Sequence, residues 1–151
     1  MEQIVILDFG SQYTQVIARR VRELNVYSTI LRYDTPASEI QKLGVKGIIL
    51  SGSHASVYDV DDRAPEAVFE LGIPVLGICY GAQWLAAHRG GSVARSVIRE
   101  YGRAVLQVQG SVGSPLLEGL SEASQVWMSH GDAVTQAPAG FTICAVTADI
   151  A

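Results

Sequence analysis

Apolar and polar positions along the first half of the chain switch between two periods. Gln3 to Leu7 reads QIVIL and closes on Asp8 and Gly10, an apolar run bounded by turn residues that predicts a buried strand. Ser11 heads the next stretch, where Tyr13, Val16 or Ile17, Val21 and Leu24 recur at helical spacing. That predicts an amphipathic helix capped by Ser11. The alternation then repeats. Tyr27 to Leu31 predicts a second strand, Ser38 to Leu43 a short helix, and Gly47 to Leu50 a third strand ending at Ser51-Gly52. After a loop with Asp59, Asp61 and Asp62, Pro65 to Leu71 predicts a helix with proline in its first turn. Val75 to Ile78 predicts a fourth strand, with a helix-like segment, Ala82 to Ala87, almost directly behind it.

Strands separated by helices require right-handed crossovers, and hence a mostly parallel sheet with helices on both faces. The expected class is α/β: a three-layer α/β/α, flavodoxin-like open sheet. Past Gly90-Gly91 the texture changes. Ser92 to Val97, Ala104 to Gln109, Val126 to Met128 and Phe141 to Thr147 predict strands joined by turns, so the C-terminal half is expected to be mixed or antiparallel. There is no internal repeat, low-complexity tract or linker, and 151 residues suit one domain with a real core.

Composition narrows the function classes. Hydrophobic residues make up 48% and charged residues 17%, which suits a globular chain rather than a disordered one. Fifteen acidic against eleven basic residues give a net charge of −4, against the basic excess of a nucleic-acid binder. Arg19, Arg20 and Arg22 cluster on the first predicted helix and read as a solvated face. The two cysteines, Cys79 and Cys144, are far apart, with neither a disulfide framework nor metal-ligand spacing, and fit a reducing compartment. MEQIVILDFG has no basic n-region, so no signal peptide is expected. The most apolar stretch, residues 72 to 87, is broken by Pro74 and Gln83 and falls short of the ~20 residues of a spanning helix. A cytoplasmic protein that does not span a membrane is expected.

In open parallel sheets, ligands bind where the carboxyl ends of the strands let the loops diverge. Three such ends carry small or polar residues: Asp8 to Gln12, Ser51 to His54, and Cys79-Tyr80-Gly81. The last belongs to Gly77-Ile78-Cys79-Tyr80-Gly81, a pattern with the physics of a nucleophile elbow. A side chain on a tight strand-to-helix turn is held in a strained backbone conformation, and flanking glycines remove the clashes. The sulfur then sits at a helix amino end, which favours thiolate and supplies amides for an oxyanion. The competing reading is a packed core cysteine; position on the elbow favours the nucleophile. Cys144, within FTICAVTA, has no such setting and reads as packing. Asp8 and Gln12 could shape the mouth of a site, but read first as a strand-end turn and helix cap. A phosphate loop over Gly10 to Thr14 rests on one glycine, a weak signal.

Gly77 to Gln83 resembles the nucleophile motif of the class I (triad-type) glutamine amidotransferases. ILDFGSQYTQVIARRVREL (residues 6 to 24), REYGRA (99 to 104) and VWMSHGD (126 to 132) resemble the amidotransferase domains of the GMP synthetases, in that order and across essentially the whole chain. The resemblance implies a glutaminase half-reaction. Cys79 attacks the glutamine carboxamide, ammonia leaves, and water hydrolyses a glutamyl thioester. It implies oxyanion donors at the Tyr80 amide and in the Gly52-Ser53 loop. It also implies a glutamine pocket lined by Gly81, Gln83, Ser129, His130, Gly131 and Asp132. The domain itself is expected to need no cofactor or metal. Ammonia passes to an ATP-pyrophosphatase (synthetase) domain, where ATP and Mg2+ serve the conversion of XMP to GMP, in a parent enzyme expected to be a homodimer. From the residues alone, Ser129 to Asp132 read as a loop following a strand, and His130 as a histidine that fixes it.

Two departures carry expectations of their own. The family's SGGP-x-S loop is here Ser-Gly-Ser-His-Ala-Ser, residues 51 to 56. If the backbone at Ser53 needs a shape that only glycine adopts easily, the oxyanion hole is impaired. The family's base lies in a His-Pro-Glu motif, and that triplet occurs nowhere in residues 1–151, so the triad is expected to be incomplete here. His88 lies nine residues past Cys79, about 13 Å along a helix axis, too far to serve. His54, at the correct sheet edge, is a surrogate base by hypothesis, against the plainer reading of an exposed loop histidine. The alternative function is a pseudo-amidotransferase that binds glutamine or a partner domain without turnover.

Overall fold

The computed structural model describes residues 2–58, 66–109 and 114–148, with the backbone alone for residues 96–101. The aspartates expected in the loop before Pro65, and Pro65 itself, lie outside these residues. The chain divides into two compact units, Met1–Leu85 and Ala86–Ala151.

In the first unit, strands β1 (Gln3–Asp8), β2 (Tyr27–Arg32), β3 (Gly47–Leu50) and β4 (Val75–Gly77) are all parallel, in the order β2-β1-β3-β4. Helix α1 (Thr14–Glu23) joins β1 to β2, α2 (Ala37–Lys42) joins β2 to β3, and α3 (Tyr80–His88) follows β4. The segment Glu66–Leu71, expected as an α-helix, is a 3-10 helix.

The alternation along β1 explains the three layers. Val5, Leu7 and Phe9 face one way, onto Ile40 of α2, Val68 of the 3-10 helix and Trp84 of α3. Ile6 faces the other way, with Ile49, onto Ala18 of α1. Both faces of the inner strands are thus buried, which is why β1 and β3 read as unbroken apolar runs. Burial of each large side chain contributes about 1.5–3 kcal/mol. Phe9, Tyr80 and Trp84 form the aromatic part of this core, the Phe9 ring lying 5.3 Å from Tyr80 and 6.0 Å from Trp84.

The register of α1 differs in part from expectation. Ile17 and Val21 pack inward around Ala18, whereas Tyr13, Val16 and Leu24 are exposed. Ser11 is not the cap. The residue before the helix is Tyr13, with no side-chain cap bond, and the Ser11 hydroxyl accepts the Tyr13 N–H at 3.0 Å one turn earlier. Asp8 organises the helix start instead. Its Oδ1 accepts the Gly10 N–H at 2.9 Å and the Thr14 hydroxyl at 2.7 Å.

The second unit holds an antiparallel sheet ordered β6-β5-β7, from β5 (Ser92–Val108), β6 (Ala123–Gln136) and β7 (Ala145–Val146). The two short strands expected between Ser92 and Gln109 are one long strand. It carries a register irregularity between Arg95 and Glu100, which pair with Asp132 and His130. An unpaired insertion of this kind preserves the ladder while bending it.

Candidate active site

The C-terminal ends of β1, β3 and β4 converge on Cys79. Its φ of 53° lies in the left-handed region; among the described residues the only other non-glycine there is Asn25. For a cysteine such a conformation costs about 1–3 kcal/mol. The turn follows β4 immediately: the Ile78 N–H is held by the Leu50 carbonyl at 3.0 Å, and the Cys79 carbonyl accepts the Ala82 and Gln83 N–H groups that open α3. Cys79 is exposed.

The two flanking glycines are there because nothing larger fits. A Cβ on Gly77 would come within 2.6 Å of the Ala82 backbone, and one on Gly81 would run into the Leu50 carbonyl oxygen and lie 2.6 Å from Leu50 Cβ. Gly77 lets the chain reverse on itself; Gly81 lets α3 press against β3. Tyr80 and Trp84 then anchor the helix in the core, so the elbow is clamped from below.

Gly52 brings the loop after β3 against this corner. A Cβ placed on it would lie 3.7 Å from Cys79 Cβ and 3.5 Å from Ser11 Oγ. Gly52 is buried and Ser53 half-buried, while His54 is exposed in the bend that follows. Ser53 is not among the residues with positive φ, so the glycine-only backbone shape feared for it is not adopted here. Its hydroxyl accepts the Ala55 N–H at 3.2 Å. Ser11 and Ser51, which the sequence places only within two of the strand-end segments and to which it gives no site role, belong to the same convergence. The signal available for Ser51 was a serine ending an apolar strand directly before a small-residue loop.

Gln83 is buried on α3, one turn past Cys79. Ser129, His130, Gly131 and Asp132 lie in the second unit, and not in a loop: all four are inside β6. The strand continues past VWMS because its longer partner β5 keeps pairing with it. His130 is half-buried, its Nδ1 2.9 Å from the Asp132 carbonyl oxygen. A carbonyl only accepts, so Nδ1 carries the proton in this contact. Among the described residues no group of His, Cys, Asp and Glu is placed to hold a metal ion, and no helix is long and apolar enough to cross a membrane.

The family model "Glutamine amidotransferase class-I" matches residues 5–151. The chain belongs to this family. Within the class-I glutamine amidotransferases, it is 55% identical over 142 residues to a GMP synthase [glutamine-hydrolyzing] of Chlorobium chlorochromatii, covering 93% of this chain and 28% of that protein. It is 52% identical over 147 residues to the protein of that name from Geobacillus kaustophilus, covering 97% and 28%. The chain thus spans under a third of the length of these relatives. Among solved structures it resembles a protein assigned as a GMP synthase subunit from Thermoplasma acidophilum, at TM-score 0.89 and 31% identity, covering 99% of this chain and 75% of that one. A glutamine amidotransferase from Methylobacillus flagellatus shares the amidotransferase fold, at TM-score 0.69 and 20% identity over 99% of this chain and 62% of that one.

Proposed function

We propose that this chain is the glutaminase segment of a GMP synthase, with Cys79 as its nucleophile. The observation that carries the proposal is Cys79 itself: a cysteine at φ 53°, exposed, at the head of a helix, with Gly52 alongside. A chain accepts such strain where the side chain has work to do.

The chemistry proceeds from the thiolate, which the helix amino end favours. Sγ adds to the side-chain carboxamide carbon of glutamine, and the carbonyl oxygen becomes an oxyanion between the Tyr80 and Ser53 amides. Collapse breaks the C–N bond, the departing nitrogen takes a proton, and ammonia leaves behind a thioester that water cleaves to glutamate. Gly81 and Gln83 are the proposed glutamine contacts beside Cys79; for Ser129, His130, Gly131 and Asp132 that role is proposed from the resemblance alone. The ammonia serves a synthetase domain or subunit that binds ATP and Mg2+ and aminates XMP; the amidotransferase segment itself uses neither cofactor nor metal. By resemblance the proton-transferring base is the histidine of a His-Pro-Glu motif. That triplet does not occur within residues 1–151.

The test is ammonia release from glutamine, with Cys79→Ala as control, alongside labelling of Cys79 by a chloroketone analogue of glutamine. Cys79-dependent labelling with at least slow ammonia release supports the glutaminase. Saturable glutamine binding with neither labelling nor ammonia supports the second reading, a binding module, which the substituted Ser53-His54 loop favours. His54→Ala decides the surrogate base: an unchanged pH profile of labelling removes it.

A further inference from the structure

Ser51 directly follows β3 and has no solvent exposure, and the mechanism above gives its hydroxyl no task. Its backbone continues the sheet, the N–H donating to the Leu7 carbonyl at 3.1 Å. Its Oγ accepts the Phe9 N–H at 3.0 Å and donates to the Gly52 carbonyl at 3.1 Å. A hydroxyl has one hydrogen to give. The Phe9 N–H cannot accept it, so the hydrogen is directed to Gly52. Phe9 cannot drift either, because its ring is packed against Tyr80 and Trp84. One buried hydroxyl therefore ties the end of β1 to the loop after β3, with its direction set by a core aromatic.

The consequence falls on the next peptide. No described peptide bond is cis, and in a planar trans peptide the C=O and the following N–H point in opposite directions. Holding the Gly52 carbonyl toward Ser51 turns the Ser53 N–H away from it. Among the described residues, no acceptor is paired with that N–H. This peptide begins beside the corner, since a Cβ built on Gly52 would lie 3.7 Å from Cys79 Cβ. If this peptide turned over, a carbonyl oxygen would face the developing oxyanion in place of a donor, and an attractive interaction would become a repulsive one.

We propose that Ser51 is a positioning residue: its hydroxyl, fixed by the Phe9 N–H, locks the Gly52–Ser53 peptide with the Ser53 N–H set to receive the oxyanion. The proposal rests on the glutaminase reading for its chemistry. It also accounts for how a serine can occupy the second position of this loop: the orientation of the amide is held from Ser51 and needs no glycine conformation at residue 53.

The test separates oxyanion stabilisation from substrate binding and from folding. The chloroketone analogue of glutamine passes through a tetrahedral adduct on Cys79, whereas glutamine binding, read as protection against labelling, does not require one. In the 151-residue chain, Ser51→Ala is expected to slow maximal labelling tenfold or more, since loss of an oxyanion donor costs roughly 10²–10³ in rate. Glutamine affinity is expected to stay within about twofold, as uniform binding is not what is lost, and Ser51→Thr to recover much of the rate. Unchanged labelling in Ser51→Ala overturns the proposal. So does a parallel loss of labelling, glutamine affinity and urea stability, the mark of a merely structural serine. If the unsubstituted chain does not label at all, the glutaminase reading falls by itself. The peptide lock is then decided by a crystal structure of Ser51→Ala, where a Gly52 carbonyl in unchanged orientation overturns it and a reoriented one supports it.

Discussion

At the scale of single residues, backbone shape and close approach separate the roles of Cys79 and its glycines. A positive φ is costly for any side chain with a Cβ and free for glycine, so Cys79→Gly is expected to be more stable than Cys79→Ala by about 1 kcal/mol. Urea unfolding of the two variants measures this; equal midpoints would show that the turn at residue 79 holds no strain. Gly81→Ala forces a methyl into the Leu50 carbonyl and is expected to cost about 1–3 kcal/mol or more by overpacking. Gly52→Ala is different, because its new methyl meets only ordinary contacts at 3.5–3.8 Å, one of them Cys79 Cβ. The fold is expected to survive with stability changed by about 0.5 kcal/mol or less, while labelling of Cys79 by the chloroketone falls at least tenfold because the approach to the sulfur is filled. A Gly52→Ala variant that labels at the normal rate removes Gly52 from the site. The Gly-x-Cys-x-Gly spacing made the elbow legible in the sequence, because glycine on both sides of a strand-ending cysteine has a local steric meaning. Ser51 was not legible, since its role depends on Phe9, 42 residues away.

Among the elements, α1 shows how a helix start can be set from outside its own first turn. Ser11 has the residue type of a cap, yet Asp8 at the end of β1 supplies the ordering bonds, to Gly10 and Thr14. Thr14 is buried, so Asp8→Ala removes a partner from a buried hydroxyl as well as one from a turn amide. The expected loss is about 1–3 kcal/mol, seen in thermal or urea unfolding; a loss near zero would return the helix start to Ser11. β2 ends on a bidentate pair, Arg32 Nε to Asp34 Oδ1 at 3.0 Å and Nη2 to Oδ2 at 2.8 Å. The hydrogen bond from Arg32 holds the Asp34 carboxyl below its ordinary value of 3.8, and the exposed guanidinium is raised in turn. A lowered carboxylate pKa stabilises the fold above the unfolded value and loses that contribution as pH falls through the folded one. The stability difference between the wild type and Asp34→Asn, small because the pair is fully exposed, is therefore expected to shrink below about pH 3.8. A difference that grows on acidification would contradict it.

For the molecule as a whole, the strand order leaves β4 at the margin of the described parallel sheet. Leu76 and Ile78 on this margin are 39% and 36% exposed. They share the parity of the face that packs on α1, but α1 packs over Ile6 and Ile49. An apolar strand edge is a template for pairing with another chain, so the 151-residue chain is expected to associate as its concentration rises. Leu76→Lys is expected to reduce that association without changing helix content. Sedimentation velocity and circular dichroism check it, and equal association of the two proteins would place the contact elsewhere. The sequence by itself determined the α/β alternation, the buried character of β1 and β3, and the glycine-flanked cysteine. Each of these is written in neighbouring residues, through periodicity or local steric need. Only the tertiary structure decided that Asp8 rather than Ser11 organises α1, and that Ser129 to Asp132 run within a strand. It also decided that a buried serine joins the loops beside Cys79. These depend on partners distant in sequence, and a partner's length or a single hydrogen-bond direction leaves no local periodic trace.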